Sequence, residues 1–278
     1  MSFIALETLT WPEAERLGAE GAIGLVTLAS LEQHGPHLPL ATDSLLGERL
    51  ARDVAERLPG PVVVTPVVRG GLSTHHLGFP GSVTVPPDAY RALVVSYLEG
   101  LERMGVEKIG VWSSHGGNFA FVAELVRDRS DGARLAGYSD LQRFVDVMLA
   151  AAADMGLHAP ETDVHAGGLE TSMMLAAYPA LVRPFDTVEG YTAAEPGWLE
   201  RMFADGIRAI SDTACSATSA APTPRPARRS SPPWPKSSPA SSPPSSTSSL
   251  PTKRPDRSPD GGRPAPAIVT SGLVVAGL

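Results

Sequence analysis

Short runs of β-branched and aliphatic residues alternate along the chain with segments whose apolar residues recur every three or four positions. The runs IGLVTLA (23–29), PVVVTPVV (61–68) and KIGVWSS (108–114) lack a polar alternation, which predicts strands buried on both faces. Arg134–Tyr138 is a weaker strand of the same kind. Between them, Asp43 is placed to cap a helix running to about Leu58. Asp88 is placed to cap another over Ala89–Met104, with Leu93, Val94, Tyr97, Leu98 and Leu101 as its apolar face. Asn118 is placed to cap a third, with Phe119, Val122, Leu125 and Val126 on one side. Further helices are predicted over Leu141–Met155 and from Gly168 to Ala177. Strands alternating with helices predict an α/β layered fold, a mostly parallel β-sheet flanked by helices. There is no internal repeat.

The pattern stops near Thr213. Residues 1–212 contain 13 prolines, and the remaining 66 residues contain 14, so the average composition hides two different chains. A Pro/Ser-rich segment cannot bury enough apolar surface to offset its ordering entropy, so residues 213–278 are expected to be a disordered, low-complexity tail. A second reading stands beside it. Joining the last base of each codon to the first two of the next lets TACSAT (213–218) encode Gly-Val-Leu-Gly-Asp. The same shift lets Ala221–Lys236 encode a turn and an amphipathic helix, as a frameshift near Thr213 would produce. Function is therefore sought in residues 1–212.

Charge and composition remove several classes. The chain of 278 residues has a net charge of −7, which speaks against nucleic acid as a partner. No stretch approaches the ~18–20 apolar residues of a membrane helix, and no basic-then-apolar leader opens the sequence, so a soluble cytoplasmic protein is expected. Cys215 is the one cysteine, which excludes a disulfide framework and a thiolate zinc site.

The chemistry-bearing residues fall where strands end. LEQHGPHLPLATD, after the first long strand, carries Glu32, His34, His37 and Asp43. SSHGGN, after KIGVW, carries His115; DVHAGGLETS carries Asp163, His165 and Glu170. Ligands of open α/β sheets bind outside the carboxyl ends of strands. In an extended segment residues two apart point the same way, so Glu32 and His34 can face one metal. Nitrogen and oxygen donors without thiolate favour Zn²⁺, Mn²⁺ or Fe²⁺, and a pair of such ions can activate water and polarise a carbonyl. Each residue also has a plainer role: Asp43 as a helix cap, Gly116–Gly117 as a turn, Glu32 as a surface acid, His115 as an ordinary hydrogen-bonded histidine. His37 is assigned to holding the Pro36–Pro39 loop. Coincidence decides for a metal, because five metal-capable residues share three strand-end loops.

EQHGPHLPLATD, then HHLGFPGSVT, SHGGN and HAGGLETS, in that order over about residues 20–212, resemble the creatininase family of metal-dependent amidohydrolases. The resemblance implies a centre of two divalent metal ions (Zn, Mn or Fe) with Glu32, His34, Asp43 and His115 as ligands and Asp43 bridging. The family's creatinine hydrolases carry a carboxylate two residues after the matched His115; here that residue is Gly117, and Glu170 is expected to supply it. The implied reaction is cleavage of an amide or cyclic-amide C–N bond by a hydroxide activated between the metals. His165 and Glu170 are the expected catalytic residues, with His165 as acid–base or as the residue orienting Glu170. His75, His76, Ser114 and Asn118 are expected to touch a small-molecule amide substrate.

Creatinine hydrolases cover their substrate with tryptophans near the HAG motif. This chain has none between residues 113 and 197, which with Gly117 speaks against creatinine itself. Formamide deformylases and a peptide-processing enzyme of mycofactocin maturation belong to the same wider family and are alternatives, as is a metal-binding scaffold without catalysis. The resemblance also implies a homo-oligomer, a hexamer in many members. A nucleotide-binding Rossmann module is set aside, since SLEQHGPH stands where a glycine-rich phosphate turn would be.

Overall fold

The computed structural model describes residues 3–129, 132–154 and 159–217. Five strands form one sheet: β1 (Phe3–Ala5), β2 (Ile23–Leu28), β3 (Val62–Val64), β4 (Lys108–Ser113) and β5 (Arg134–Gly137). Their order across the sheet is β1-β3-β2-β4-β5, and every neighbouring pair is parallel. The helices are α1 (Trp11–Ala19), α2 (Thr42–Ala55), α3 (Pro87–Arg103), α4 (Phe119–Asp128), α5 (Leu141–Asp154), α6 (Gly168–Ala177) and α7 (Trp198–Asp205). The expected layered α/β architecture is what forms.

Alternate strand residues sort into two apolar layers, as the period of two requires. Val26, Leu28, Val63, Ile109 and Val111 pack with Leu17 of α1, Tyr90, Val94, Leu98 and Leu101 of α3, and Phe121, Val122 and Leu125 of α4. On the other face Leu25, Val62, Val64 and Trp112 meet Ala51 and Ala55 of α2. Each fully buried aliphatic side chain contributes about 1.5–3 kcal/mol to holding these helices on the sheet. Leu93, expected on that buried face, is exposed, and Tyr97 is half-buried against the core.

Several expected boundaries move. β3 is shorter than 61–68 because Pro66 lacks an N–H for the ladder; pairing resumes only at Val68, which donates to Thr27. Helices α2 and α3 start at Thr42 and Pro87, so Asp43 and Asp88 lie in the first turns and are not caps. Asn118 does precede α4, but its side chain makes no capping bond. Of the tail, Ala214, Cys215, Ser216 and Ala217 are buried against the body. Residues 218–278, with nearly all of the disorder and frameshift expectations, lie outside the described residues.

The topology makes a crevice. From β2 the chain turns toward β3, and from β4 it turns the opposite way toward β5, yet β2 and β4 are neighbours. The carboxyl ends of β2 and β4 are therefore a topological switch point, where loops diverge and leave room for a ligand.

Candidate metal centre

That crevice collects the motif residues. Glu32 and His34 follow β2, Asp43 sits in the first turn of α2, His115 follows β4, and Glu170 projects from the first turn of α6. Glu32, His34, Asp43 and His115 are all at most 3% exposed. His34 Nε2 lies 3.2 Å from Asp43 Oδ1 and 3.6 Å from Glu170 Oε2. His115 Nδ1 lies 3.1 Å from Glu32 Oε1 and 3.3 Å from Asp43 Oδ2. One carboxylate thus faces two imidazoles, a different oxygen toward each. Three sets of donor atoms are compact enough to hold an ion: His34, Asp43 and Glu170; Glu32, His76 and His115; and Glu32, His34 and His165.

The hydrogen bonds fix which ring nitrogen is available. His34 Nδ1 is 3.1 Å from the carbonyl of Glu32, to which it donates, leaving Nε2 with its lone pair toward the carboxylates. His115 Nε2 donates toward the carbonyl of Leu72 and the hydroxyl of Ser73, both at 3.3 Å, leaving Nδ1 bare. Ser73 in turn meets Ser30, whose hydroxyl donates to Glu32 Oε2 at 2.8 Å. Such outer bonds orient metal ligands and make them more basic. His34 Nε2 and Asp43 Oδ2 are buried without a hydrogen-bond partner. Unsatisfied buried acceptors cost about 1–3 kcal/mol each, and a cation between them removes that cost. The donor set therefore fits divalent metal, of the oxygen-and-nitrogen kind that suits Zn²⁺, Mn²⁺ or Fe²⁺.

The electrostatics agree. Burial opposes charge on His34, but the Asp43 and Glu170 carboxylates overcome it and raise the ring to about 10. His115 is likewise raised, burial being outweighed by Glu32 and Asp43. Burial works against the Asp43 and Glu32 carboxylates too, yet the facing imidazoles hold both below the usual range. Glu170 differs: burial wins and pushes it to about 7. Three carboxylates in one dry crevice draw in positive charge, as protons or as metal.

His165 stands at the edge of this set, its ring 4.3 Å from that of His34. Its Nε2 lies 2.9 Å from the carbonyl of Gln33 and 3.1 Å from the Gln33 side-chain nitrogen, and its Nδ1 lies 3.9 Å from Glu32 Oε1. Burial, with the charge on His34, lowers it to about 3. Its loop is strained and clasped. Ala166 has φ 52°, its N–H donates to Glu170 Oε2 at 2.6 Å, and the Asp163 carboxylate accepts from Leu169 N at 3.1 Å. Burial raises Asp163 to about 6. Ser216 Oγ accepts from the main-chain N–H of His165 at 2.8 Å and of Val164 at 3.2 Å.

Two residues expected at the substrate, Asn118 and Ser114, make their hydrogen bonds within the fold. Asn118 spends its amide inside the fold, accepting from Leu72 N at 3.0 Å and donating to Ala29 O and Ser113 Oγ. Ser114 donates to the carbonyl of Asp43 at 2.8 Å and so props up the first turn of α2. His75 and His76 do line the crevice. The His75 ring lies between those of His115 and the half-exposed Phe203, while His76 Nε2 meets Glu32 Oε1 at 3.2 Å. His37 bridges its loop to α6 through Thr171 Oγ1 at 2.8 Å. Sequence reasoning missed Ser30 and Ser73, which contact Glu32 and His115, and Gln33, which contacts His76 and His165. At Gly117 a Cβ would lie 2.4 Å from the Leu72 carbonyl oxygen and 2.5 Å from His115 Nε2, so the position has no room for an acidic side chain.

Comparison with known proteins gives the family. Residues 7–229 match the family described as creatininase, creatinine amidohydrolase. The mycofactocin precursor peptide peptidase of Mycolicibacterium smegmatis is 33% identical over 192 residues, 68% of this chain and 71% of that protein. The creatinine amidohydrolase of Pseudomonas putida is 31% identical over 188 residues, 63% of this chain and 72% of that one. The solved structure "Creatininase Mn" superposes with a TM-score of 0.55 at 25% identity, covering 65% of this chain and 75% of its own.

Proposed function

From the premise that this chain belongs to the creatininase family of hydrolases, we propose that it cleaves an amide C–N bond at a two-metal centre held by Glu32, His34, Asp43, His115 and Glu170. The observation that carries this reading is Asp43. Its Oδ1 faces His34 Nε2 and its Oδ2 faces His115 Nδ1, the disposition of a carboxylate shared by two ions. When bound, two divalent metals supply activation of water near neutral pH and polarisation of the scissile carbonyl.

The remaining steps belong to the chain's own residues. Glu32, Asp43 and Glu170 neutralise the charge of the centre. His165, with Nε2–H fixed on the Gln33 carbonyl, presents Nδ1 as the group that takes a proton from water and returns it to the leaving nitrogen. His75, between His115 and Phe203, is the residue we assign to contact with the substrate.

A linear amide, such as a short peptide or a formamide, is the substrate class we favour over creatinine. Gly117 excludes the carboxylate of the creatinine hydrolases, no tryptophan lies between 113 and 197, and the mycofactocin precursor peptide peptidase matches at 33% identity. Chain residues 1–217 as the catalytic body, a homohexamer and a cytoplasmic location belong to the same reading. No helix among the described residues is long and apolar enough to cross a membrane. The test is to load the purified protein with Zn²⁺ or Mn²⁺, count the ions, and offer creatinine, formamides and short peptides beside a chelated control. About two ions per chain and chelator-sensitive cleavage of a linear amide are expected. Creatinine turnover alone would overturn the substrate assignment. Two bound ions with no cleavage of any amide would favour the scaffold.

A further inference from the structure

Gln33 lies between the two motif residues Glu32 and His34, and its side chain points to a pair of histidines. Gln33 Nε2 is 2.7 Å from His76 Nδ1, while Gln33 Oε1 accepts the N–H of Gly35 at 3.2 Å. The amide nitrogen can only donate, so His76 Nδ1 accepts and its proton sits on Nε2. That Nε2–H faces Glu32 Oε1 at 3.2 Å. With the amide turned over, its NH₂ would face the Gly35 N–H, and a bare His76 Nε2 would face the carboxylate. The first arrangement pairs a donor with an acceptor at Gly35, His76 and Glu32, and it also sets the Gln33 amide nitrogen 3.1 Å from His165 Nε2.

We propose that Gln33 is a positioning residue: it sets the tautomer of His76, and His76 then holds the Glu32 carboxylate as a hydrogen-bond donor and not as a metal ligand. The geometry leaves a separate role to the Gln33 main chain. Its carbonyl lies 2.9 Å from His165 Nε2, and its N–H donates to Ser82 Oγ at 3.0 Å. The side-chain amide nitrogen also lies 3.1 Å from His165 Nε2, so a substitution of the Gln33 side chain touches both histidines, and the His76 tautomer is the diagnostic one. Glu32 accepts from Ser30 through Oε2 and from His76 through Oε1, so its orientation depends on both. The inference rests on the metal-centre reading for its consequence, and not for its first observable.

The experiment is ¹⁵N NMR of the histidine rings in the full-length Zn²⁺-loaded protein, with His76→Gln to assign the resonance. In the wild type His76 should show a bare Nδ1 and a protonated Nε2. Gln33→Glu presents an acceptor in place of the donor and should move the His76 proton to Nδ1. Zn²⁺ affinity, measured against a competing chelator, should fall by about 10–100-fold, the usual effect of losing an outer hydrogen bond to a ligand. A bare Nε2 on wild-type His76, or an unchanged His76 tautomer in Gln33→Glu, overturns the proposal. If Gln33→Glu does not fold, Gln33→Leu is read the same way: loss of the single tautomer is expected, and its retention overturns the proposal. The expected tautomers in a protein that binds no Zn²⁺ would sink the metal-centre reading and leave the Gln33–His76 contact standing.

Discussion

The two halves of the crevice are built on different foundations. Glu32, His34, Asp43 and His115 stand at the ends of β2 and β4 or at the start of α2, directly above the apolar layers of the sheet. Each imidazole there ties its other nitrogen to a main-chain carbonyl. His165 and Glu170 stand beyond the sheet, on a loop with Ala166 at φ 52°, held by the Asp163 carboxylate and the Ser216 hydroxyl. The first half inherits its precision from hydrophobic packing. The second depends on a few polar bonds, so single atoms decide where its side chains sit. Substitutions in the first half should change chemistry, and substitutions in the second should change placement.

The largest effect should come from the residue that joins the first half together. Asp43→Ala removes the carboxylate shared between His34 and His115. Elemental analysis should show metal content falling from about two ions to less than one per chain, with amide cleavage reduced on the order of 10³-fold or more. A variant that keeps both ions would break the distinction between the halves at its firmest point.

Gly117→Ala tests how tightly the β4 end is packed. The new methyl would be 2.4 Å from a main-chain oxygen, which cannot move aside as a flexible side chain could. A cost toward the upper end of about 1–3 kcal/mol is expected. At roughly 2–4 °C per kcal/mol for a chain of this size, calorimetry should resolve the fall in Tm. An unchanged Tm would mean that this side of the crevice yields, and that the absence of a carboxylate at 117 needs another reason.

Ser216→Ala sharpens the comparison from the other side. Val164 N–H and His165 N–H would lose their acceptor, at a cost of about 1–2 kcal/mol. Hydrogen exchange should quicken over residues 163–167 and stay unchanged over β2 and β4. Uniform exchange in both places would show that the loop does not depend on this clasp.

The same division explains what could be read in the chain. Hydrophobic period located β2, β3, β4, β5 and the five helices from α2 to α6, because burial writes itself into spacing. It missed β1, a three-residue edge strand, and α1, although Thr10 and Glu13 form a capping box that the Thr-x-x-Glu spacing announces. The cluster of candidate metal donors was legible because metal chemistry restricts residue type. The partners of those ligands were not. Ser30, Ser73 and Gln33 are ordinary polar residues whose value comes from tertiary distance, and Asn118 looked like a cap but links Leu72, Ala29 and Ser113. Nothing in the spacing separates a serine that faces substrate from Ser114, which supports a helix turn.

The smallest expected effect concerns His37, the bridge between the halves through Thr171. Burial, with the nearby charge of His34, lowers its ring to about 4, against 6.5 when unperturbed. The folded state therefore favours the neutral ring. That contribution to stability is complete above about pH 6.5 and is lost as the pH falls through 4. Asp163 has the opposite sign: raised to about 6, it favours folding below its unfolded value and loses that contribution as the pH rises through 6. The two oppose each other across one window, so the wild-type profile alone cannot separate them. His37→Gln removes only the first, and its amide can still donate to Thr171. Its Tm should stand progressively higher relative to wild type as the pH is lowered from 6.5 to 4. A difference that stays flat across that window would mean the ring accepts a proton without cost, and that the bridge between the halves is looser than its burial implies.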